Sequence, residues 1–452
     1  MKINWQQETE DAIARLQRMV RFNTVNPPGN ELELAQALAA EASSEGIESE
    51  VLVSGEGRGN LVLRLRGDGS ERPLLLLSHL DVVPVEPEEW TYPPFAGTRA
   101  QGFVWGRGAI DSKLTGALHM QVLLMAHRLR LPLKRDIVFV AAADEEYGGH
   151  YGIEWLVREH RELFDAEYGL NEAGGFAVQV GGQSLFTVQV GEKGAANLDL
   201  VASGQPGHSS VPHDDNAVFH LAEVLARMAG KKMPHRPPAS VRAFFARAAQ
   251  AQGDAVVAGD LQALLDAETC DEALARLPIN EATRRMFDAM LRNTCAPTIV
   301  EAGLKRNVIP SQARVQLSGR PLPGVDKDEF ITEVEGLAGL DVEYAMGDFR
   351  SGVEFDHDTP LFVALEKALR RFETSSVAVP YMQTGGTDAR FLKDTGMVVY
   401  GFVPMRYEHG LDFFDLCHGH DERVSEANIG FGLQVIFDAI AQLNGIDIEG
   451  IQ

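Results

Sequence analysis

Histidine and carboxylate side chains follow three apolar runs of the chain, at the point where each run ends. One run leads into His79 and Asp81, a second into Glu145 and Glu146, and a third into Glu172. Ligands of open α/β sheets bind outside the carboxyl ends of the strands. We therefore expect these side chains to point into one crevice.

Two further candidates lie in other parts of the chain. Asp111 follows a glycine-containing stretch and precedes a helical pattern that begins at Leu114. Taken alone, Asp111 could be a helix N-cap. His418 shares a short segment with His420, and the residues alone do not decide between the two histidines.

Together these side chains predict a site for two metal ions. Two histidines and three carboxylates can hold two divalent ions roughly 3.5–4 Å apart that share one carboxylate. Of the adjacent Glu145 and Glu146, one can bind metal while the other accepts a proton from water. His79 and Asp81 share a face of an extended backbone, so one can be a ligand and the other can orient it.

This chemistry suits the hydrolysis of an amide or a related acyl bond. A serine nucleophile is a poor alternative, because the sequence has no Gly-x-Ser-x-Gly elbow. The sequence also has neither a Walker loop nor a dinucleotide fingerprint after the first strand.

The elements that must position these residues predict an α/β fold in two parts. Up to residue 190, unbroken apolar strands alternate with helices, which predicts a mostly parallel sheet covered on both faces. Residues 191–350 follow the order β-α-β-β-α-β of a ferredoxin-like unit, interrupted by a helical insertion at about 232–296. The tail 351–452 returns to the α/β pattern. We predict a catalytic domain formed by 1–190 and 351–452, with an inserted α+β lid or dimerisation domain between them.

Composition limits the partners. The 452 residues carry 41 Lys+Arg against 65 Asp+Glu, a formal net charge of −24. Nucleic acids and anionic membranes are not expected partners, because phosphate binding needs clustered basic side chains. Three scattered cysteines are too few for a disulfide framework or a cysteine-based zinc site. The first residues do not form a signal-peptide pattern, and no apolar run approaches a membrane span, so we expect a soluble, cytoplasmic protein.

Nine pieces of sequence, in order along nearly the whole chain, resemble the M20 metallopeptidase family. That family includes aminoacylase-1, succinyl-diaminopimelate desuccinylase, acetylornithine deacetylase and the glutamate carboxypeptidases. The pieces are Ser78-His79-Leu80-Asp81-Val82-Val83-Pro84, Trp90 with Pro94-Phe95, Gly106-Arg107-Gly108-Ala109-Ile110-Asp111-Ser112-Lys113, Asp144-Glu145-Glu146, Glu172-Ala173-Gly174-Gly175, Gly207-His208-Ser209-Ser210 with Pro212, Asn307-Val308-Ile309-Pro310, Gly385-Gly386-Thr387-Asp388, and His418 with Glu422.

The resemblance implies two Zn²⁺ ions per subunit, with Co²⁺ or Mn²⁺ also compatible with such ligands. Asp111 would bridge the two ions. His79 and Glu172 would complete the ligands of one ion, and Glu146 and His418 those of the other.

The resemblance also implies catalytic roles. Glu145 would be the general base and then the acid toward the leaving amine, and Asp81 would orient His79. The choice of His418 over His420 rests on the family, which places this ligand four residues before the glutamate that is Glu422 here.

A further set of implied residues concerns the substrate and a partner subunit. His208 matches a histidine that, in the family, reaches a partner subunit's site and stabilises the developing oxyanion, so we expect a homodimer through the inserted domain. Asn307 and Arg320 match positions that hold a substrate carboxylate. Gly385 and Gly386 would let the backbone approach the ligand.

We therefore expect a zinc-dependent hydrolase of an amide bond in a small substrate with a free carboxylate. It would be an N-acyl-amino-acid deacylase or a dipeptidase or carboxypeptidase. An N-carbamoyl-amino-acid hydrolase of the same fold is one alternative, and a catalytically silent binding protein is another. The silent alternative is disfavoured because every expected ligand and Glu145 are present. The helical insertion resembles that of carboxypeptidase S-like members, and we expect it to enlarge the lid or the dimer contact.

Overall fold

The computed structural model describes residues 3–411 and 413–448. The helices of this part are α1 (Trp5–Val20), α2 (Glu31–Ser44), α3 (Lys113–Arg128), α4 (Ile153–Glu159), α5 (Ala217–Met228), α6 (Ala239–Ala251), α7 (Ala255–Ala263), α8 (Cys270–Arg276), α9 (Glu281–Leu291), α10 (Lys327–Ala338), α11 (Pro360–Phe372), α12 (Phe413–Leu416) and α13 (Glu426–Leu443). The strands are β1 (Glu48–Gly55), β2 (Arg58–Leu65), β3 (Leu74–His79), β4 (Thr98–Ala100), β5 (Phe103–Trp105), β6 (Ile137–Ala142), β7 (Tyr168–Asn171), β8 (Ala177–Val180), β9 (Gln183–Glu192), β10 (Ala195–Ser203), β11 (Gly207–His208), β12 (Thr294–Ala302), β13 (Val308–Ile309), β14 (Gln312–Arg320), β15 (Glu343–Arg350), β16 (Val353–Glu354), β17 (Val377–Gln383), β18 (Val398–Gly401) and β19 (Arg423–Ser425).

The larger sheet has ten strands and a parallel centre. Its main path is β1-β2-β6-β3-β7-β18-β9-β16, and β8 and β17 also pair with β9. The neighbours β6, β3, β7 and β18 run parallel to one another. Every residue of β3 and β6 is buried, as continuous apolar strands require when helices cover both faces of a sheet. The predicted α/β class with a mainly parallel central sheet is confirmed.

Helices α3 and α13 form much of the cover on this sheet. Thr115, Leu118 and Val122 of α3 are buried, and α13 is buried along most of its 18 residues. The N-terminus of α13 is capped by Ser425, whose hydroxyl oxygen accepts a hydrogen bond from the backbone N–H of Asn428 at 3.1 Å. No helix in the described part of the chain combines the length and the apolar character needed to cross a membrane.

The smaller sheet has four antiparallel strands in the order β12-β14-β10-β15. Helices α5 and α10 pack on it around their own apolar core, which includes Leu198, Leu221, Val315 and Phe330. The order of elements is the predicted β-α-β-β-α-β order of a ferredoxin-like unit. We call this unit the lid; its boundaries at 191 and 350 stay a prediction.

The helical insertion lies elsewhere than expected. Val241, Phe244 and Phe245 of α6 and Phe287 of α9 belong to the core of the larger sheet, not to the core of the lid. The ring centres of Phe244 and Phe287 are 5.4 Å apart, and α6 packs against β17. The insertion therefore does not enlarge the core of the lid, because its aromatic face is buried against the catalytic sheet. Its expected contribution to a dimer contact stays a prediction.

Candidate metal centre

The candidate ligands converge because three parallel strands end at the same edge of the sheet. His79 is the last residue of β3, and Glu172 directly follows β7. Glu145 and Glu146 follow β6 by a short turn. Since β6, β3 and β7 are neighbours in the sheet, their carboxyl ends place these four side chains in one crevice.

Asp111 lies between two histidines. Its Oδ1 atom is 3.1 Å from His79 Nε2, and its Oδ2 atom is 3.1 Å from His418 Nε2. His79 Nε2 is also 3.1 Å from Glu172 Oε2, and His418 Nε2 is 3.3 Å from Glu146 Oε2. The side chains thus form two sets of three that share Asp111.

The structure brings His418, not His420, to this cluster. His420 Nε2 lies 3.0 Å from Glu86 Oε2, in a separate ion pair. The His418 side chain is 55 % exposed, so it forms the outer wall of the cluster.

The protonation of the His79 ring suits a metal ligand. Its Nδ1 atom is 3.0 Å from the backbone carbonyl oxygen of Asp81, so Nδ1–H donates to that oxygen. The lone pair of the neutral ring is then on Nε2, which faces Asp111 and Glu172.

The carboxylates of the cluster also fit cations. Glu146 Oε1 is buried and has no hydrogen-bond partner among the described residues. Burial and the neighbouring Asp111 raise the pKa of Glu146 to about 8. Burial raises the pKa of Glu172 to about 7. Divalent cations would compensate these crowded charges, and imidazole with carboxylate oxygen is a ligand set that Zn²⁺ accepts.

Ligand atoms of His79, Glu145 and Glu172 lie within 4.8 Å of one another, and so do those of His79, Asp111 and Glu146. These two groups overlap with the two hydrogen-bonded sets without being identical to them. The first group has Glu145 in place of Asp111, and the second has His79 in place of His418. Glu145 lies beside the cluster and contacts neither histidine through a hydrogen bond or ion pair that the described residues show. Glu145 is therefore close enough to act on a ligand of the cluster.

Asp81 positions both glutamates. Its carboxylate accepts hydrogen bonds from the backbone N–H groups of Glu145 at 3.0 Å and Glu146 at 3.1 Å. Asn26 Nδ2 donates to the same carboxylate at 2.8 Å. The nearest carboxylate oxygen is 3.5 Å from His79 Nδ1, so Asp81 holds the His79 ring mainly through its backbone carbonyl.

The backbone adopts the left-handed region at three non-glycine residues of the site. These are Asp144, Ala173 and His418, with φ values of 70°, 67° and 62°. Such conformations cost free energy and cluster at functional sites. The Asp144 carboxylate holds its turn by accepting hydrogen bonds from Asn26 Nδ2 at 2.9 Å and Tyr151 N–H at 3.1 Å.

Glu422 holds the loop that carries the shared carboxylate. It is fully buried and accepts hydrogen bonds from Arg107 Nη1 at 2.7 Å and from the N–H groups of Gly108, Ile110 and Asp111 at 3.0, 2.7 and 3.0 Å. Sequence reasoning used this glutamate only to choose a histidine and missed its role. The available signal in the sequence was the position of Glu422, a carboxylate four residues after the candidate ligand His418.

Arg390 is a second residue that sequence reasoning missed. Its Nη1 atom donates to Glu145 Oε1 at 3.2 Å and to the carbonyl oxygen of Thr387 at 2.7 Å. Glu192 accepts from the backbone N–H and the hydroxyl of Thr387 at 2.9 and 2.7 Å. Burial raises the pKa of Glu145.

The sequence signal that could have identified Arg390 was its position two residues after the matched piece 385–388.

The cluster lies in a cavity of about 580 Å³ whose wall also carries cationic side chains. Gly385, Gly386 and Arg320 line this cavity, together with Arg350 and Lys193. Burial and the neighbouring Arg390 lower the pKa of Arg320. Burial and Arg320 lower the pKa of Lys193 to about 7. An anion would be stabilised here despite the negative net charge of the chain.

His208 and Asn307 lie outside this cavity. Both are exposed on the lid, in the segments that form the two-residue strands β11 and β13. The N–H of Ser210 donates to His208 Nδ1 at 3.2 Å, so the neutral ring carries its proton on the exposed Nε2 atom. Within one chain, the structure does not bring these two residues to the metal ligands.

Known proteins are similar to this chain in sequence and in fold. The family model "Peptidase family M20/M25/M40" matches residues 75–442. The N-fatty-acyl-amino acid synthase/hydrolase PM20D1 of Xenopus tropicalis is 27 % identical over 416 residues, covering 88 % of this chain and 77 % of the relative. Aminoacylase-1 of Sus scrofa is 27 % identical, covering 82 % and 80 %. The crystal structure of an M20 family metallo-carboxypeptidase from Sulfolobus solfataricus has the same fold, with a TM-score of 0.70, 17 % identity and coverage of 96 % and 100 %.

Proposed function

The chain belongs to peptidase family M20/M25/M40 and hydrolyses amide bonds, and we propose that its substrate is an N-acyl amino acid or a small peptide with a free carboxylate. The observation that carries the proposal is Asp111, whose two carboxylate oxygens each lie 3.1 Å from a different histidine. A carboxylate shared in this way fits a pair of divalent cations. The names of the two relatives, an N-fatty-acyl-amino acid synthase/hydrolase and an aminoacylase, support the substrate class.

Two Zn²⁺ ions are the cations that we propose, and Co²⁺ or Mn²⁺ would suit the same ligands. His79, Asp111 and Glu172 would hold one ion, and Asp111, Glu146 and His418 the other. Bound cations supply a water molecule of lowered pKa and polarise the scissile carbonyl group. Asp81 and Glu422 fix the orientation of this ligand set.

Glu145 is the general base. It takes a proton from the attacking water while the water oxygen forms a bond to the acyl carbon. It returns that proton to the nitrogen as the carbon–nitrogen bond breaks, which yields a carboxylic acid and an amine. Arg390, 3.2 Å from Glu145 Oε1, orients the carboxylate toward the cluster.

Arg320 and Arg350 bind the free carboxylate of the substrate. Both line the cavity that contains the cluster. A guanidinium group binds a carboxylate through two parallel hydrogen bonds, which fixes the scissile bond at a defined distance from the anchor. Gly385 and Gly386 let the backbone approach the bound substrate.

The enzyme acts as a homodimer in this proposal. His208 has an outward-facing Nε2–H group that can donate to an oxyanion, but it lies outside the cavity of its own chain. The lid exposes apolar side chains that a second copy would cover, since Phe219 is 58 % exposed and Val300 is 58 % exposed. In the dimer, His208 and Asn307 of each chain would thus lie in the site of the other chain.

Amine release by zinc-loaded protein from a panel of N-acyl amino acids, dipeptides and N-carbamoyl amino acids tests this proposal. We expect Glu145→Gln to lower kcat by about 10²–10⁴-fold while both ions stay bound, since a general base contributes this much. Glu154→Gln is the matched control, because Glu154 is exposed and paired only with His150 among the described residues. Cleavage of no N-acyl amino acid or peptide would refute the substrate class, and ammonia release would favour the carbamoyl alternative. Unchanged turnover in Glu145→Gln would refute the base assignment.

A further inference from the structure

A second cavity, of about 250 Å³, adjoins the catalytic cavity. The two share Ile110, Met405 and Phe413 as common walls. One of these common walls, Ile110, directly precedes Asp111 in the chain. We call it the apolar chamber.

The walls of the apolar chamber come from two parts of the fold. Phe176 and Val178, beside and within β8, are buried on the side of the catalytic sheet. Ile279 and Met286 come from the helical insertion, just before and within α9. The insertion therefore closes the chamber, a role consistent with its burial against the catalytic sheet.

Two of the three charged residues of the chamber wall, Arg406 and Arg423, are engaged elsewhere, and the third, Glu408, is partly exposed. Arg406 Nε lies 2.9 Å from Glu373 Oε2, and its guanidinium packs 3.9 Å from the centre of the Phe431 ring. The Arg423 guanidinium lies 4.5 Å from the centre of the Trp105 ring. Most of the other residues that line the chamber have aliphatic, aromatic or thioether side chains. Such side chains favour an apolar ligand.

The chamber and the carboxylate anchor are parts of different cavities. Arg320 and Arg350 line the catalytic cavity and do not line the chamber. If these arginines hold the carboxylate of the substrate and its amide group lies at the cluster, the acyl group needs a binding site of its own. An apolar cavity of about 150 Å³ admits a molecule the size of benzene, so the chamber is large enough for more than an acetyl group.

We propose that the apolar chamber receives the acyl group of the substrate and selects an alkyl or aryl chain longer than acetyl. This inference rests on the proposed function. The helical insertion then determines acyl specificity through Ile279 and Met286.

The test compares hydrolysis of acetyl, hexanoyl and decanoyl derivatives of one amino acid by the zinc-loaded enzyme. We expect kcat/KM to rise from acetyl to the longer chains. Ile279→Trp, which fills the chamber from a partly exposed position, should lower kcat/KM for the longer chains by about tenfold or more and lower it much less for the acetyl derivative. Val256→Trp is the matched control, because Val256 is 71 % exposed in the same insertion and lies outside the chamber.

Met286→Ala provides a second variant that enlarges the chamber, and it should shift the preference toward longer chains. Equal losses on all chains in Ile279→Trp, or no loss on any, would overturn the inference. A wild-type enzyme that cleaves only the acetyl derivative would overturn the inference and leave the proposed function intact. Cleavage of no derivative at all would overturn the inference, and it would overturn the proposed function as well if no dipeptide of the panel is cleaved.

Discussion

The metal-ligand cluster and the lid segment that carries His208 were predicted from motifs of the same kind, but they differ in burial and in contacts. His79 is 1 % exposed, and its two ring nitrogens lie 3.0–3.1 Å from partners on three different elements. His208 is exposed, and in the part of the chain that the structure describes its ring forms hydrogen bonds only with Ser210, two residues away. The structure brings the proposed ligands together within one chain, whereas the lid residues would reach a reacting group only in the proposed homodimer.

Subunit complementation is the largest effect that follows from this difference. We expect His208→Ala to lower kcat by about 10²–10³-fold with little change in KM, as removal of an oxyanion donor does. Co-expression of His208→Ala with Glu145→Gln should restore activity, because one site of the mixed dimer then contains both wild-type residues. Turnover by purified mixed dimers, carrying a different tag on each subunit, measures this recovery. Mixed dimers no more active than the parents would place His208 outside the partner's site.

A smaller effect concerns the support of the cluster. We expect Glu422→Gln to weaken metal binding by about 10–100-fold, the usual cost of losing a buried group that orients a ligand. The reason is that the four N–H groups around Glu422 lose their common anionic acceptor. Competition with a chelator of known affinity measures the change. An unaltered metal affinity would show that the loop before Asp111 holds its position without this carboxylate.

The smallest effect concerns the cationic side chains that line the cavity. Arg320→Ala and Arg350→Ala should each raise KM by about tenfold or more, because each removes a charge-assisted hydrogen bond to the substrate. Arg158→Ala is a matched control, since Arg158 is 61 % exposed and distant from the cavity. Steady-state kinetics separate KM from kcat. A fall in kcat with an unchanged KM would contradict the anchoring role.

The comparison also shows how much the sequence could predict. The apolar runs predicted the parallel strands, and with them the convergence of His79, Glu145 and Glu172, because the carboxyl ends of adjacent parallel strands meet. The positions of Arg390 and Glu422 were missed, since their contacts join segments that are hundreds of residues apart.

The helical insertion was misplaced for a related reason. Its helical pattern shows that Phe244 and Phe245 are apolar, but not which of two cores will bury them. Its place within the sequence of the lid and the resemblance to carboxypeptidase S-like members favoured the lid, but the aromatic side chains pack against the catalytic sheet.

Zinc titration of chelator-treated protein tests the central account most directly. Amine release from a cleaved N-acyl amino acid is measured as Zn²⁺ is added to the wild type and to Asp111→Asn. The account predicts activity that rises until two ions are bound per chain, and no recovery in Asp111→Asn, because neither ion keeps its shared ligand. Full activity without metal, or in Asp111→Asn, would contradict it.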